Sequence, residues 1–355
     1  MYYLKLFENH SQYEEFAGGG GMLRPNVSHC VSENEVHYNP WTWANEYFTI
    51  ESLEDNNTIY LQASDTAITK AVSASTDNGA TWAEYTSSTG GSGIALATLN
   101  TGDKLLVKGE NSTYATSTLN YNQFKSTKQF EAKGNMMSLI SGDSFASADE
   151  LTETYTFGYL FSGCTGLTSA DNLVLPATTL ASSCYNNMFR GCTSLTTTPE
   201  LPATILASNC YTYMFGGCTS LTTAPELPAT TLAEGCYSSM FRGCTRLTTA
   251  PELLATTLRN SCYTTMFYGC TSLVNAPELP ATTLESYCYY SMFEGCTSLN
   301  YIKAMFTTRP KDSYTGSWVR NVASNGTFVK NAAATWTDVG IYAVPTGWTV
   351  ETATA

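Results

Sequence analysis

The chain reads as a mainly β protein, with a small β-sandwich-like domain followed by a solenoid of 26-residue coils and a β cap. Three observations predict this. The segment Cys184-Tyr-Asn-Asn-Met188-Phe189-Arg-Gly191-Cys192 returns at Cys210, Cys236, Cys262 and Cys288, each time 26 residues later. A fixed period in this range marks coils that bury their apolar faces only by stacking on one another. Ahead of the array, short alternating apolar runs are broken by Gly, Asn, Asp and Ser clusters, the pattern of strands and hairpins. Charged residues are only 13% of the 355, so Thr, Ser, Asn and Tyr supply the polarity.

Composition also limits the partners. A net charge of −13, with no Arg between Arg24 and Arg190, lacks the clustered cations that nucleic acid requires. No run of about 18 apolar residues occurs, so no membrane insertion is expected. The first ten residues carry no apolar export core. An outward-looking surface without an export signal suits a part assembled in a cytoplasm and released later.

Residues 1–48 read as an N-terminal attachment module. Leu4, Phe7, Tyr13 and Phe16 recur at helical spacing before the Gly18–Gly21 run breaks it. His10, His29 and His37, with Cys30 alone beside the second, are too scattered for a metal site. Residues 49–133 read as an immunoglobulin-like β domain in which Asp77-Asn78-Gly79 makes a tight hairpin and Trp82 anchors the core. Residues 134–170 bridge to the array and cap its first coil. Residues 171–303 are the solenoid, and residues 304–355 form a C-terminal β cap rich in tryptophan (Trp318, Trp336, Trp348).

Comparing the copies separates core from surface. Met188, Phe189, Leu195, Leu201, Ala203 and Leu206 hardly vary between copies and form the core. Pro199 and Pro202 bracket Leu201 and keep its strand short, because proline cannot donate to a ladder. Gly191 takes a left-handed turn. The repeating tyrosines (Tyr185 and its counterparts) pack with one edge wet. Ten of the repeat cysteines fall in two columns with no C-x-x-C pair, and Cys164 heads the second; they read as buried thiols rather than disulfides.

Variable positions fall in rows that stacking aligns on a lateral surface. Arg190, Gly216, Arg242, Tyr268 and Glu294 form one row; Asn187, Tyr213, Ser239, Thr265 and Ser291 another; Ser183, Asn209, Gly235, Ser261 and Tyr287 a third. Tyr213, Tyr268, Tyr287 and Tyr290, with Arg190 and Arg242, are the candidate binding residues, since flat aromatic faces beside polar groups suit sugars. Glu200, Glu226, Glu252 and Glu278 form a fourth row, a candidate cation site, with no row of Lys or Arg in the same phase.

Two family resemblances follow from these residues. Ser75-Thr76-Asp77-Asn78-Gly79-Ala80-Thr81-Trp82 resembles the Asp-box of sialidases, which implies a folding element remote from any catalytic pocket. The repeated Phe-x-Gly-Cys-x-x-Leu, with its Leu-Pro continuation, resembles the BspA-type leucine-rich repeat across Phe161–Leu299. The order of modules is similar to tail-fibre and surface proteins of gut anaerobes and their phages. The resemblance implies recognition or adhesion without catalysis. In this reading the chain is a phage virion fibre or receptor-binding protein, carried by other virion proteins through residues 1–48. Its solenoid and C-terminal cap would contact a bacterial surface glycan or protein. A secreted or surface-anchored bacterial leucine-rich-repeat adhesin and a structural spacer are the alternatives. No cofactor is implied, and a homo-oligomer is open, with no heptad to specify one.

Overall fold

The computed structural model describes residues 43–64 and 68–353. The three histidines and Cys30 of the attachment module lie outside the described residues. Residues 43–48 run directly into the first strand.

Nine strands form the N-terminal part: β1 (Phe48–Ser52), β2 (Asn57–Ala63), β3 (Ala71–Ser75), β4 (Ala83–Thr86), β5 (Ser88–Thr89), β6 (Ile94–Leu99), β7 (Lys104–Lys108), β8 (Asn122–Ser126) and β9 (Phe130–Asn135). One sheet runs β9-β1-β7-β3-β4, while β2 pairs with β5, β6 and β8 in a second. Strict alternation along β2 turns Ile59, Leu61 and Ala63 inward and Thr58, Tyr60 and Gln62 outward. Phe48 from the first sheet meets Phe124 from the second at 5.2 Å between ring centres.

The β3–β4 hairpin forms around Asp77 as expected. Asp77 accepts hydrogen bonds from Ser75 Oγ, the Thr81 amide and Thr81 Oγ1 at 2.6–2.9 Å, which hold its carboxyl at about 2. Trp82 is not the core anchor. It is half-buried, lies edge-on to Tyr47 at 5.0 Å and carries the Lys108 ammonium 4.3 Å from its ring centre. The adjoining cation holds the indole at the surface, while Phe48, Phe124 and Phe130 fill the interior.

The solenoid grows out of this sheet. β10 (Leu167–Ser169) and β11 (Leu173–Val174) both pair in parallel with β9. Parallel bridges continue the stack through Ser169–Thr197, Thr223–Thr249 and Asn275–Tyr301. Beyond them β12 (Tyr301–Ala304), β13 (Thr327–Lys330) and β14 (Thr349–Thr352) pair in parallel, so the segment after 304 carries on the same winding.

Within each coil the Cys-Tyr-x-x-Met-Phe-x-Gly-Cys segment is a run of turns rather than a strand or a helix. The amides of Cys184, Asn186, Met188, Arg190 and Cys192 donate to carbonyls three residues back. The alternate amides of Tyr185, Asn187, Phe189 and Gly191 donate to Cys210, Thr212, Met214 and Gly216 in the next coil. Every amide of the segment therefore has a partner, alternately within the coil and in the next one. The geometry needs a left-handed residue every fourth position: Ser183, Asn187 and Gly191 have φ of 56°, 57° and 73°. The expectation at Gly191 holds, but two further positions in its coil share it without being glycine.

This winding points Cys184, Tyr185, Met188, Phe189 and Cys192 inward, all at 1% exposure or less. Two aromatic columns result. Phe161, Phe189, Phe215, Phe241, Phe267 and Phe293 stack at 5.4–5.8 Å. Phe157, Tyr185, Tyr211, Tyr237, Tyr263 and Tyr289 stack at 5.6–6.0 Å. Both columns end on Trp318. A fully buried side chain of this size contributes roughly 1.5–3 kcal/mol, so the columns are a principal source of cohesion between coils.

The repeat tyrosines do not have a wet edge. All five are at most 2% exposed, and the hydroxyls of Tyr185 and Tyr237 are buried with no hydrogen-bond partner. The Pro-Glu-Leu-Pro segment also departs from expectation. No strand spans 199–206, only a bridge from Thr179 to Ile205, because Pro199 and Pro202 each remove an amide donor. The eleven described cysteines are buried free thiols. Cys192, Cys218, Cys244, Cys270 and Cys296 donate to the carbonyls of Phe161, Phe189, Phe215, Phe241 and Phe267 at 2.9–3.1 Å. Burial pushes Cys244 and Cys296 up to about 12, which leaves them poor nucleophiles.

Candidate functional site

The turn segment has one inward and one outward edge, and the outward edge builds a lateral strip. The left-handed position two residues before Phe189 and the position just after it run as two parallel rows along the solenoid axis. The structure brings Arg190, Tyr213, Arg242 and Tyr268 together there. The Arg190 guanidinium lies 5.2 Å from the Tyr213 ring centre, and Arg242 lies 5.8 Å from Tyr213 and 4.5 Å from Tyr268. Each guanidinium meets an aromatic face within the range of a cation–π contact.

Gly216 makes this possible. It occupies the same coil position as Arg190 and Arg242, and a Cβ there would overlap Cδ1 and crowd Cε1 of Tyr213. The missing side chain lets the ring lie down between the two arginines. The N-terminal end of the strip continues to Tyr159, which stacks on Tyr121 at 4.6 Å and feels the charge of Arg190.

Tyr287 and Tyr290 form a separate edge-on pair at 5.6 Å, with Tyr287 48% exposed. Arg320 links the two groups. Its guanidinium pairs with Glu294, with Nε donating at 2.8 Å, and both Tyr268 and Tyr290 lie within its electrostatic reach. Glu294 itself is buried at 5% exposure. The sequence reading missed Arg320, although a signal existed. It stands 26 residues after Glu294, inside a further, degenerate copy of the turn segment. Tyr289, Ser291, Phe293 and Gly295 donate to Tyr314, Gly316, Trp318 and Arg320, as in every earlier coil. Ser317 and Asn321 take the left-handed positions, with φ of 55° and 61°.

The glutamate row is exposed throughout. No row of Lys or Arg shares its phase, but one cation reaches it from outside that phase. Lys303, one residue short of the repeat phase, pairs with Glu278 at 2.9 Å and neutralises that end. At the other end, desolvation first and Glu226 second raise the Glu200 pKa above its usual 4.5. No group of three or more His, Cys, Asp or Glu placed to hold a metal occurs among the described residues.

An acid whose folded pKa is raised contributes stability below its unfolded value, and that stability is lost as pH rises through the folded one. The contribution of Glu200 to stability is therefore expected to rise on mild acidification from pH 7. Like charges one strand spacing apart, ~4.8 Å, repel by about 1 kcal/mol per neighbour in a water-like dielectric. Glu226→Gln with Glu252→Gln should accordingly raise the melting temperature at pH 7 in metal-free buffer and flatten the acid gain. A double variant less stable than its parent at pH 7 would show that these charges are paired rather than repelling.

A shallow cleft near the C-terminus is lined by Thr308, Arg309, Lys311, Tyr314, Asp338 and Tyr342. Its cationic groups are committed locally: Arg309 grips Asp338 through both Nε and Nη2 at 2.7–3.1 Å, and Lys311 lies 4.4 Å from the Tyr314 ring centre. The lateral strip differs in that its two guanidiniums meet no carboxylate among the described residues. Compared with known proteins, the chain matches no family, no curated protein and no solved structure.

Proposed function

We propose that this chain is a non-enzymatic recognition protein that attaches along the lateral strip of its solenoid to a glycan or protein on a bacterial cell surface. In that role it would serve as a fibre or receptor-binding component of a phage virion. One observation carries the reading. Arg190, Tyr213, Arg242 and Tyr268 form a continuous row of aromatic faces and guanidiniums on a backbone whose coils are cross-bonded at every second amide. Aromatic and arginine side chains on a rigid support lose little conformational entropy on binding and anchor interfaces more often than other residue types.

The test is attachment of the labelled full chain to a panel of gut-bacterial cells and to a glycan array. Tyr213→Ala with Tyr268→Ala should weaken binding at least tenfold at an unchanged melting temperature. A parallel variant replacing Tyr287 and Tyr290 measures whether the recognised patch extends to the C-terminal pair. Binding that survives all four replacements places recognition elsewhere, and a parent that attaches to nothing on either panel favours a structural spacer.

A further inference from the structure

The strip also specifies the chemistry of what it holds. We infer that its ligand is an acidic polysaccharide lying lengthwise along the solenoid, with successive anionic groups on Arg190 and Arg242 and a sugar face on Tyr213 between them. This rests on the recognition reading above and adds the ligand class and its direction.

The first argument is charge. The chain has 30 acidic and 17 basic residues, so carboxylates are plentiful. Among the described residues, Lys104, Lys108, Lys133, Lys303, Arg309 and Arg320 pair with Asp or Glu, and of the arginines that do not, Arg190, Arg242, Arg246 and Arg259, only the first two lie over an aromatic ring. Arg190 and Arg242 form no such pair and instead face tyrosine rings on the same edge of the solenoid. Two guanidiniums held on aromatic faces without a counter-ion are complementary to an external anion.

The second argument is register. Arg190 and Arg242 stand two coils apart, about 10 Å at a strand spacing of ~4.8 Å. Gly216 stands between them and admits the Tyr213 ring, so the strip reads cation, flat apolar face, cation along a straight axis. A linear polymer that alternates charged groups with flat sugar faces has that order. A folded acidic protein surface has no reason to repeat it.

Glu294 sets the far limit. It occupies the arginine position two coils beyond Arg242 and neutralises Arg320 in the coil that follows. The anionic track therefore ends at Tyr268, and removing the Glu294 charge should lengthen it.

The full chain is to be tested by affinity electrophoresis and surface binding against polygalacturonate, heparin, neutral dextran and poly-L-glutamate. At least one of the two acidic polysaccharides should bind and dextran should not. Binding should fall at least tenfold as ionic strength rises from about 0.1 M to about 1 M, where screening shortens to roughly 3 Å. Arg190→Gln with Arg242→Gln should weaken it at least tenfold without lowering the melting temperature, and Glu294→Gln should tighten it severalfold. Poly-L-glutamate bound as tightly as either polysaccharide would overturn the ligand class. So would acidic polysaccharide binding that ignores the arginine pair. If the chain attaches to cells or neutral glycans but to neither acidic polysaccharide, the charge inference fails while the recognition reading stands. Attachment to nothing removes both.

Discussion

Replacing Trp318 by alanine is expected to cost about 3–5 kcal/mol, the usual range for truncating a fully buried aromatic side chain. Trp318 is completely buried where the two aromatic columns converge, with ring centres of Tyr289, Phe293, Phe306 and Phe328 at 5.8–6.3 Å. Its Nε1 also donates to the Ala343 carbonyl at 3.0 Å, tying the following loop to the last rung. The loss should be local in its structural effect, because a solenoid's stability is a sum of coil and interface contributions. Hydrogen exchange should therefore quicken first in residues 288–353, with the N-terminal sheets protected longest. Trp318→Phe keeps most of the packing and should cost less, mainly through the unpaired Ala343 carbonyl. A urea midpoint for Trp318→Ala within about 1 kcal/mol of the parent, as measured by linear extrapolation, would mean that the columns do not hold the end of the solenoid.

The opposite sign is expected at two of the repeat tyrosines. Tyr185 and Tyr237 bury hydroxyls that have no hydrogen-bond partner, and such a group typically costs about 1–3 kcal/mol. Phenylalanine fits the site without strain. Phe157 occupies the same rung of the preceding coil, is fully buried and stacks on Tyr185 at 5.9 Å. Tyr185→Phe and Tyr237→Phe should each raise stability by about 1 kcal/mol or more, and a double variant measures any coupling through Tyr211, on which both rings stack. Tyr211→Phe is the internal control, since its hydroxyl is not among the orphaned groups, and a smaller gain is expected there. A fall in stability at Tyr185 and Tyr237 would indicate an internal water bonded to the hydroxyls.

The sequence by itself determined the winding. Its period fixed the coil length, and comparison of copies identified Met188, Phe189, Leu195 and the two cysteine columns as core, because a stacked array repeats its buried residues in phase. It also brought out the rows, and with them Arg190, Tyr213, Arg242 and Tyr268, although not their order in contact. Three things were decided only by tertiary structure. The first is the backbone of the turn segment. Left-handed Ser183 and Tyr213 are invisible in composition, because the inter-coil hydrogen bonds impose a conformation that these residue types do not favour alone. The second is where the solenoid stops. Trp318 and Val319 stand where the copies have Met and Phe, so the last turn segment has the geometry of a repeat without its letters. A core position constrains volume and polarity rather than identity. The third is the pairing of charges. Lys303 lies out of phase with the glutamates and Arg320 lies beyond the legible array, yet each meets its carboxylate across one coil. Long flexible side chains reach several ångströms from their backbone positions, so Lys303 meets Glu278 from one residue out of phase, while Arg320 meets Glu294 in phase but inside a coil whose letters no longer mark it as a repeat.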